Sequence, residues 1–169
     1  MLPFLRTLKI ISKIMSFIAK QYQLSASQLL VASPEKVFPL LCPTLEYDWI
    51  ESWECELLFS KSGFAELDCI FVTHFPGDER DIWVVDRYEP NELIQFIRVS
   101  ESRAIRYRIT LADNGNGTTT ALWKQTVTAL TEAGNHYVES LSNTEFSKKI
   151  KGLETLLNHY LETGKMLKA

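Results

Sequence analysis

Phe146–Tyr160 reads FSKKIKGLETLLNHY. Phe146, Ile150, Leu153, Leu157 and Tyr160 recur at steps of three and four, the spacing that aligns one face of an α-helix. Lys148, Lys149, Lys151 and Glu162 fall off that stripe. Gly164 stands where a helix takes a left-handed terminal residue. A helix running unbroken over Asn135–Thr163 would be roughly 40 Å long at about 1.5 Å per residue. Gly152 interrupts it at a cost of about 1 kcal/mol relative to Ala. It reads as a close-packing position, a bend, or room left for a bound molecule. A helix this long needs a broad apolar surface to cover its stripe, so what precedes it decides the fold.

What precedes it is a series of strands. Tyr22–Ala32 reads as the first. Ser33-Pro34-Glu35 then starts a short helix, with a serine N-cap, proline at the first helical position and an early acid. Pro43 stops that helix after Leu41, and Thr44–Ile50 gives a second short helix or turn. Trp53, Cys55, Leu57 and Phe59 alternate with polar residues, a period of two with one wet face. Ser62-Gly63 turns the chain into Phe64–Phe75, Pro76-Gly77-Asp78 into Asp81–Tyr88, and Pro90-Asn91 into Leu93–Ser100. In Arg103–Ala112, Ile105, Tyr107, Ile109 and Leu111 share a face. Asp113–Gly117, DNGNG, is the strongest hairpin signal, because Asn and Gly tolerate positive φ. Thr118–Leu130 follows, with Trp123, Gln125, Val127 and Ala129 on one face. Short hairpins favour an antiparallel meander. Such a sheet and one amphipathic helix bury both apolar surfaces only if the sheet curls around the helix. The expected class is α+β: about seven strands wrapped around a long C-terminal helix, with two short helices after the first strand.

With 169 residues, 46% hydrophobic and 23% charged, the chain has enough material for one domain with a real core. The net charge of −3 argues against nucleic acid, which needs a concentrated basic face. Cys42, Cys55 and Cys69 form no CxxC pair, so three free thiols in a cytoplasmic protein are expected. No apolar run reaches the roughly 18–20 residues of a membrane span. Arg6, Lys9, Lys13 and Lys20 put all the charge of residues 1–20 on the positive side. Phe4, Leu8, Ile11, Met15 and Ile18 recur there at helical spacing. The segment reads as an accessory helix packed on the domain, as an upstream extension with Met15 the true start, or as a weak membrane-surface helix. The first two outweigh the third, since amphipathicity more often means packing than lipid.

The chain resembles the START-like superfamily, also called SRPBCC or helix-grip, and within it a polyketide cyclase/dehydrase-like branch. SPEKVFPLL at Ser33–Leu41 is similar to that family's opening helix. YDWIESW at Tyr47–Trp53, ELLFSKSGFAE at Glu56–Glu66, GNGTT at Gly115–Thr119 and NHYLETGKML at Asn158–Leu167 are similar to the branch. The resemblance covers residues 18–169 and leaves 1–17 as an N-terminal amphipathic extension. It implies a cavity between sheet and helix that binds a small apolar molecule, lipid or polyketide-like, with no cofactor. It carries over no catalytic residues. Its alternatives are a cyclase/dehydratase-type enzyme and a protein-interaction module resembling Hsp90 activators.

Strand alternation sends Trp53, Tyr107 and Trp123 inward, with Trp49, Trp83 and Phe96 in or near the same wall. Phe146, Ile150, Leu153 and Tyr160 face them from the helix. Flat aromatic area with one polar handle suits an aromatic or lipid ligand, although any one of these side chains could simply fill the core. Two polar candidates are Glu66 and Arg98. The phase of Ala65, Leu67, Cys69, Phe71 and Phe75 puts Glu66, Asp68 and His74 in solvent. Arg98 points inward if Phe96 does, and must then find a carboxylate. His74, His136 and His159 lack ligand spacing, so no metal is expected. Neither substrate nor oligomeric state follows from the sequence.

Overall fold

The computed structural model describes residues 17–168. Seven strands, β1 (Gln21–Leu30), β2 (Glu56–Phe59), β3 (Ile70–Thr73), β4 (Asp81–Glu89), β5 (Leu93–Val99), β6 (Arg103–Asp113) and β7 (Thr119–Ala129), build one sheet. Its order is β1-β7-β6-β5-β4-β3-β2, and every pairing is antiparallel. Strands β2 to β7 therefore form the expected meander, and β1 returns beside β7. Between β6 and β7 the DNGNG turn holds Gly115 and Gly117 at φ of 73° and 82°, where an L side chain is strained. After β1 come the short helix α1 (Pro34–Val37), a 3₁₀ turn at Phe38–Leu41 and another at Glu46–Asp48.

Alternation decides the inner face. Phe71, Trp83, Val85, Phe96, Ile105, Ile109, Trp123 and Val127 are all buried. Their register shifts between Leu57 and Phe59 and between Val85 and Arg87, and bulges of this kind bend and twist a sheet. The expected strand over Phe64–Phe75 is shorter than its hydrophobic pattern. Asp68 takes φ of 66°, and only Ile70–Thr73 pairs as β3. That left-handed residue interrupts the strand without changing the phase of the buried residues on either side. Ala65 and Cys69 are buried, whereas Leu67, expected beside them, lies 55% exposed.

The C-terminal helix is two helices, α2 (Glu132–Ser140) and α3 (Asn143–Thr163), separated by extended backbone at Leu141 and Ser142. The stripe of Phe146, Ile150 and Leu157 is buried as its spacing requires, and Gly164 caps α3 at φ of 67°. What the helical pattern did not reveal is the polar seam between α3 and the sheet edge. Strand β1 has a free edge, and free N–H and C=O groups in a covered edge must be answered. Asn143 Oδ1 accepts from the Ser25 amide at 2.9 Å, Glu154 Oε2 from Leu29 at 3.0 Å and Asn158 Oδ1 from Val31 at 3.0 Å. Asn158 Nδ2 donates back to the Leu29 carbonyl at 2.9 Å. Helix α3 thus stands in for an eighth strand, and the sheet closes over it.

Gly152 is not a close-packing position. A Cβ there would meet nothing within 4 Å, and helix α3 continues through it. Gly152→Ala is expected to raise stability by about 1 kcal/mol, read as a higher urea midpoint at constant m. A loss would show that the glycine serves a contact made in another state.

The basic amphipathic segment lies outside the described residues apart from its end. There Phe17 packs on the core and Ile18 is 79% exposed. Among the described residues, no helix is long and apolar enough to cross a membrane.

Candidate functional site

Between the sheet and α3 lies a cavity of about 500 Å³. Six strands contribute to its wall, among them Leu24 from β1, Phe71 from β3, Trp83 from β4, Phe96 from β5, Tyr107 from β6 and Trp123 from β7; Phe146 and Leu153 face them from α3. The aromatic rings form a continuous chain. Phe71 stacks on Trp83 with centroids 5.3 Å apart, Trp83 meets Phe96 edge-on at 5.7 Å, and Tyr107 joins Trp83 at 5.9 Å and Trp123 at 5.6 Å. Offset and edge-to-face contacts at these separations stabilise one another and hold each ring in place.

The polar edges of these rings are already committed. Trp83 Nε1 donates to Thr73 at 2.9 Å, Trp123 Nε1 to Gln28 Oε1 at 2.8 Å and Trp53 Nε1 to the Pro43 carbonyl at 2.8 Å. Gln28 in turn donates to the Ile150 carbonyl at 2.9 Å. The indoles therefore offer faces to the cavity and keep their N–H groups in the wall.

Of the candidates read from the sequence, Trp53, Trp83, Phe96, Tyr107, Trp123, Phe146, Leu153 and Arg98 line the cavity. Trp49, Ile150, Tyr160 and Glu66 lie outside that lining. Trp49 is fully buried and donates to the Leu40 carbonyl at 3.0 Å, which fastens the turn after α1. Ile150 is buried against the sheet, and Tyr160 packs on the core farther along α3. Glu66 folds back on its own loop, accepting from the Lys61 and Ser62 amides and the Ser60 hydroxyl. Those bonds, the Lys61 amide first, hold its carboxyl below the ordinary range.

Arg98 points inward with Phe96 and finds its carboxylates. It donates to Asp81 and, at 3.3 Å, to Asp78. Its guanidinium lies 4.8 Å from the Trp83 ring centre, a cation–π contact. Behind it Arg103, 3% exposed, bonds Asp78 at 2.6 Å and Glu79 at 3.3 Å. This network of largely buried arginines with the partly exposed Asp78 and Glu79 reaches the cavity through Arg98 and Asp78.

Among the lining residues that escaped the sequence reading are Lys149 and Glu46. Lys149 sits off the apolar stripe, yet it reaches the rim, where Ser52, Asp78, Ser140 and Glu145 also remain exposed. Its burial and the charge of Arg98 hold its ammonium below the usual lysine range, with Asp78 partly opposing. Glu46, in the 3₁₀ turn before Trp53, faces the cavity. The residue is half-buried and lines the cavity. Burial alone pushes its carboxyl up to about 8. Burial also pushes the Tyr107 hydroxyl upward, helped by the nearby Glu46 charge and opposed by a hydrogen bond with Gln125. A short polar turn gives no periodic signal, so nothing in Thr44–Ile50 announced that Glu46 turns inward.

No family model and no curated protein matches the chain. Solved structures do. Norcoclaurine synthase from Thalictrum flavum, in complex with dopamine and hydroxybenzaldehyde, matches with a TM-score of 0.63 at 11% identity, over 89% of this chain and 92% of that one. The chain has a helix-grip fold. DynU16, a protein of the dynemicin biosynthetic locus, shares this helix grip with a TM-score of 0.58 at 18% identity, over 85% of this chain; the chain spans 48% of DynU16. Aha1 from Colwellia psychrerythraea, solved as a dimer, gives 0.55 at 16% identity over 81% and 96% of the two chains. At these identities the helix grip is what is shared.

Proposed function

We propose that this chain binds a small, largely apolar aromatic molecule in the cavity between its sheet and α3. The observation that carries the reading is the continuous aromatic wall, Phe71 to Trp123, around about 500 Å³ of space. Small-molecule sites run to roughly 300–1,000 Å³ and are mostly apolar with a few placed polar groups. Norcoclaurine synthase, with two small aromatic molecules in the same fold, adds support. Native mass spectrometry after incubation with naringenin, as an aromatic probe, and palmitate, as a lipid probe, tests the reading. A one-to-one naringenin adduct is expected, and it should vanish in Leu153→Trp, whose indole would occupy the space. No adduct with either probe would overturn it.

A cyclase/dehydratase-type reaction on such a ligand is the second reading, and Glu46 favours it. A carboxyl that still carries its proton at neutral pH, and gives it up near 8, is tuned for general acid–base work. A protein-interaction role draws on exposed Leu58, Phe59, Phe64 and Leu67 near edge strand β2 and on the Aha1 likeness. It leaves the aromatic cavity without a use, and so it ranks below the other two.

A further inference from the structure

Several polar residues of the cavity are already engaged with the protein itself. The indole N–H groups of Trp53, Trp83 and Trp123 are engaged in the wall. Arg98 is held by Asp78 and Asp81, and Ser140 donates to the Tyr137 carbonyl at 2.7 Å. Tyr107 faces Gln125 across the β6–β7 pair, and burial pushes its hydroxyl upward. Glu46 differs from all of these. Among the described residues no hydrogen bond or ion pair acts on its carboxyl; burial is the one influence on it. The residue is half-buried and lines the cavity, so a polar group on a ligand entering there would be the first partner of its carboxyl.

We propose that Glu46 is the polar anchor of the cavity, and that its ligand is an aromatic molecule bearing an uncharged acceptor oxygen, such as an aryl ketone, which accepts a hydrogen bond from the Glu46 carboxyl. This deepens the ligand-binding reading and rests on it. The choice of an acceptor follows from charge. Below about pH 8 the free carboxyl keeps its proton, so it is a donor and meets a carbonyl without creating any charge. An ammonium ligand would have to enter a cavity that Arg98 and Lys149 also line, and its ion pair with Glu46 would be costly to desolvate. The faces of Trp53 and Tyr107, which share the lining with Glu46, supply the surface for the ring.

Matched probes test this on the full chain. 2-Acetylnaphthalene and 2-isopropenylnaphthalene have nearly the same shape, but only the first carries an acceptor oxygen. Binding is followed by tryptophan quenching, with 1-naphthylmethylamine as the cationic comparison. At pH 6 the wild type is expected to bind the ketone about tenfold tighter than the alkene, the worth of one buried hydrogen bond. That preference should fade as pH rises through about 8, since an ionised carboxylate cannot donate. Glu46→Gln keeps a donor in the same place, so it should keep the preference and lose its pH dependence. Glu46→Leu should bind both probes equally, and Tyr107→Phe should still prefer the ketone.

Equal affinities in the wild type at pH 6, a ketone preference that survives Glu46→Leu, or tighter binding of the amine would each overturn the proposal while leaving the cavity a binding site. If neither naphthalene binds, the ligand-binding reading itself fails, and the anchor with it.

Discussion

Gly134→Ala is expected to remove about 3 kcal/mol of stability, a drop of roughly 6–12 °C in Tm for a chain of this size. The residue sits in the first turn of α2, where its amide bonds the Thr131 cap at 3.2 Å. A Cβ at this position would lie 2.0 Å from the Ser102 carbonyl oxygen, 3.1 Å from its carbon and 3.2 Å from the Ala129 Cα. All three atoms are backbone, so no side-chain rotation can make room. Ser102 is also pinned. Its carbonyl accepts from the Leu130 amide at 2.7 Å, and its own amide and hydroxyl donate to Glu79 at 3.2 and 2.9 Å. The variant must shift α2 or break those bonds. Because Tyr137, Ser140 and Leu141 carry the cavity wall across the end of α2, probe binding should weaken together with stability. Urea denaturation decides the matter, with Gly152→Ala as the control glycine. A loss under about 1 kcal/mol would mean that the close approach relaxes freely.

Arg103→Met should cost about 3–5 kcal/mol, the usual result of removing one partner from a buried charge network. The thioether chain replaces the apolar part of the arginine but none of its bonds to Asp78 and Glu79, nor its stacking 4.3 Å over Tyr137. Asp81, 1% exposed, would then depend on Arg98 alone. The cost should also vary with pH. Burial works to raise Asp78, but the Arg103 bond and the charges of Arg103 and Arg98 prevail and hold it below its ordinary value. Hydrogen bonds from Ser100 and Ser102, with the Arg103 charge, do the same for Glu79. Carboxyls lowered on folding contribute stability above their unfolded pKa, about 4, and lose it as pH falls through the folded values. Wild type and variant should therefore converge below about pH 4. Parallel acid-unfolding curves would sink the assignment of the network to these two acids.

Much of the architecture was legible because side-chain period is a local property. Ile105, Tyr107, Ile109 and Leu111 alternate, and Phe146 through Tyr160 step by three and four, whatever lies around them. The Asn-Gly turn at 113–117 has its own conformational preference. The points of departure are places where one residue redirects the chain. Asp68 at positive φ cut the expected strand over Phe64–Phe75 to four residues and turned Leu67 outward. Leu141 and Ser142 are extended and split the terminal helix, where Ser142 with Glu145 three residues on was the local sign of a new helix start.

The site divides along the same line. Trp83, Phe96, Tyr107 and Trp123 were placed by phase, and Arg98 was bound by phase to follow Phe96. Period alone could say that these side chains point inward, because the pleat offers two faces and an apolar majority chooses between them. Whether the inward side chains fill their space or leave it open depends on distances between strands and helix that no local pattern encodes. Only the closed tertiary structure left Trp49 and Ile150 solidly packed and opened space beside Trp53 and Leu153. It alone brought Glu46, carried on a short turn with no period to read, to the lining of the cavity. A carboxyl's behaviour is set by the solvent it loses, and that loss comes from residues far away in the chain.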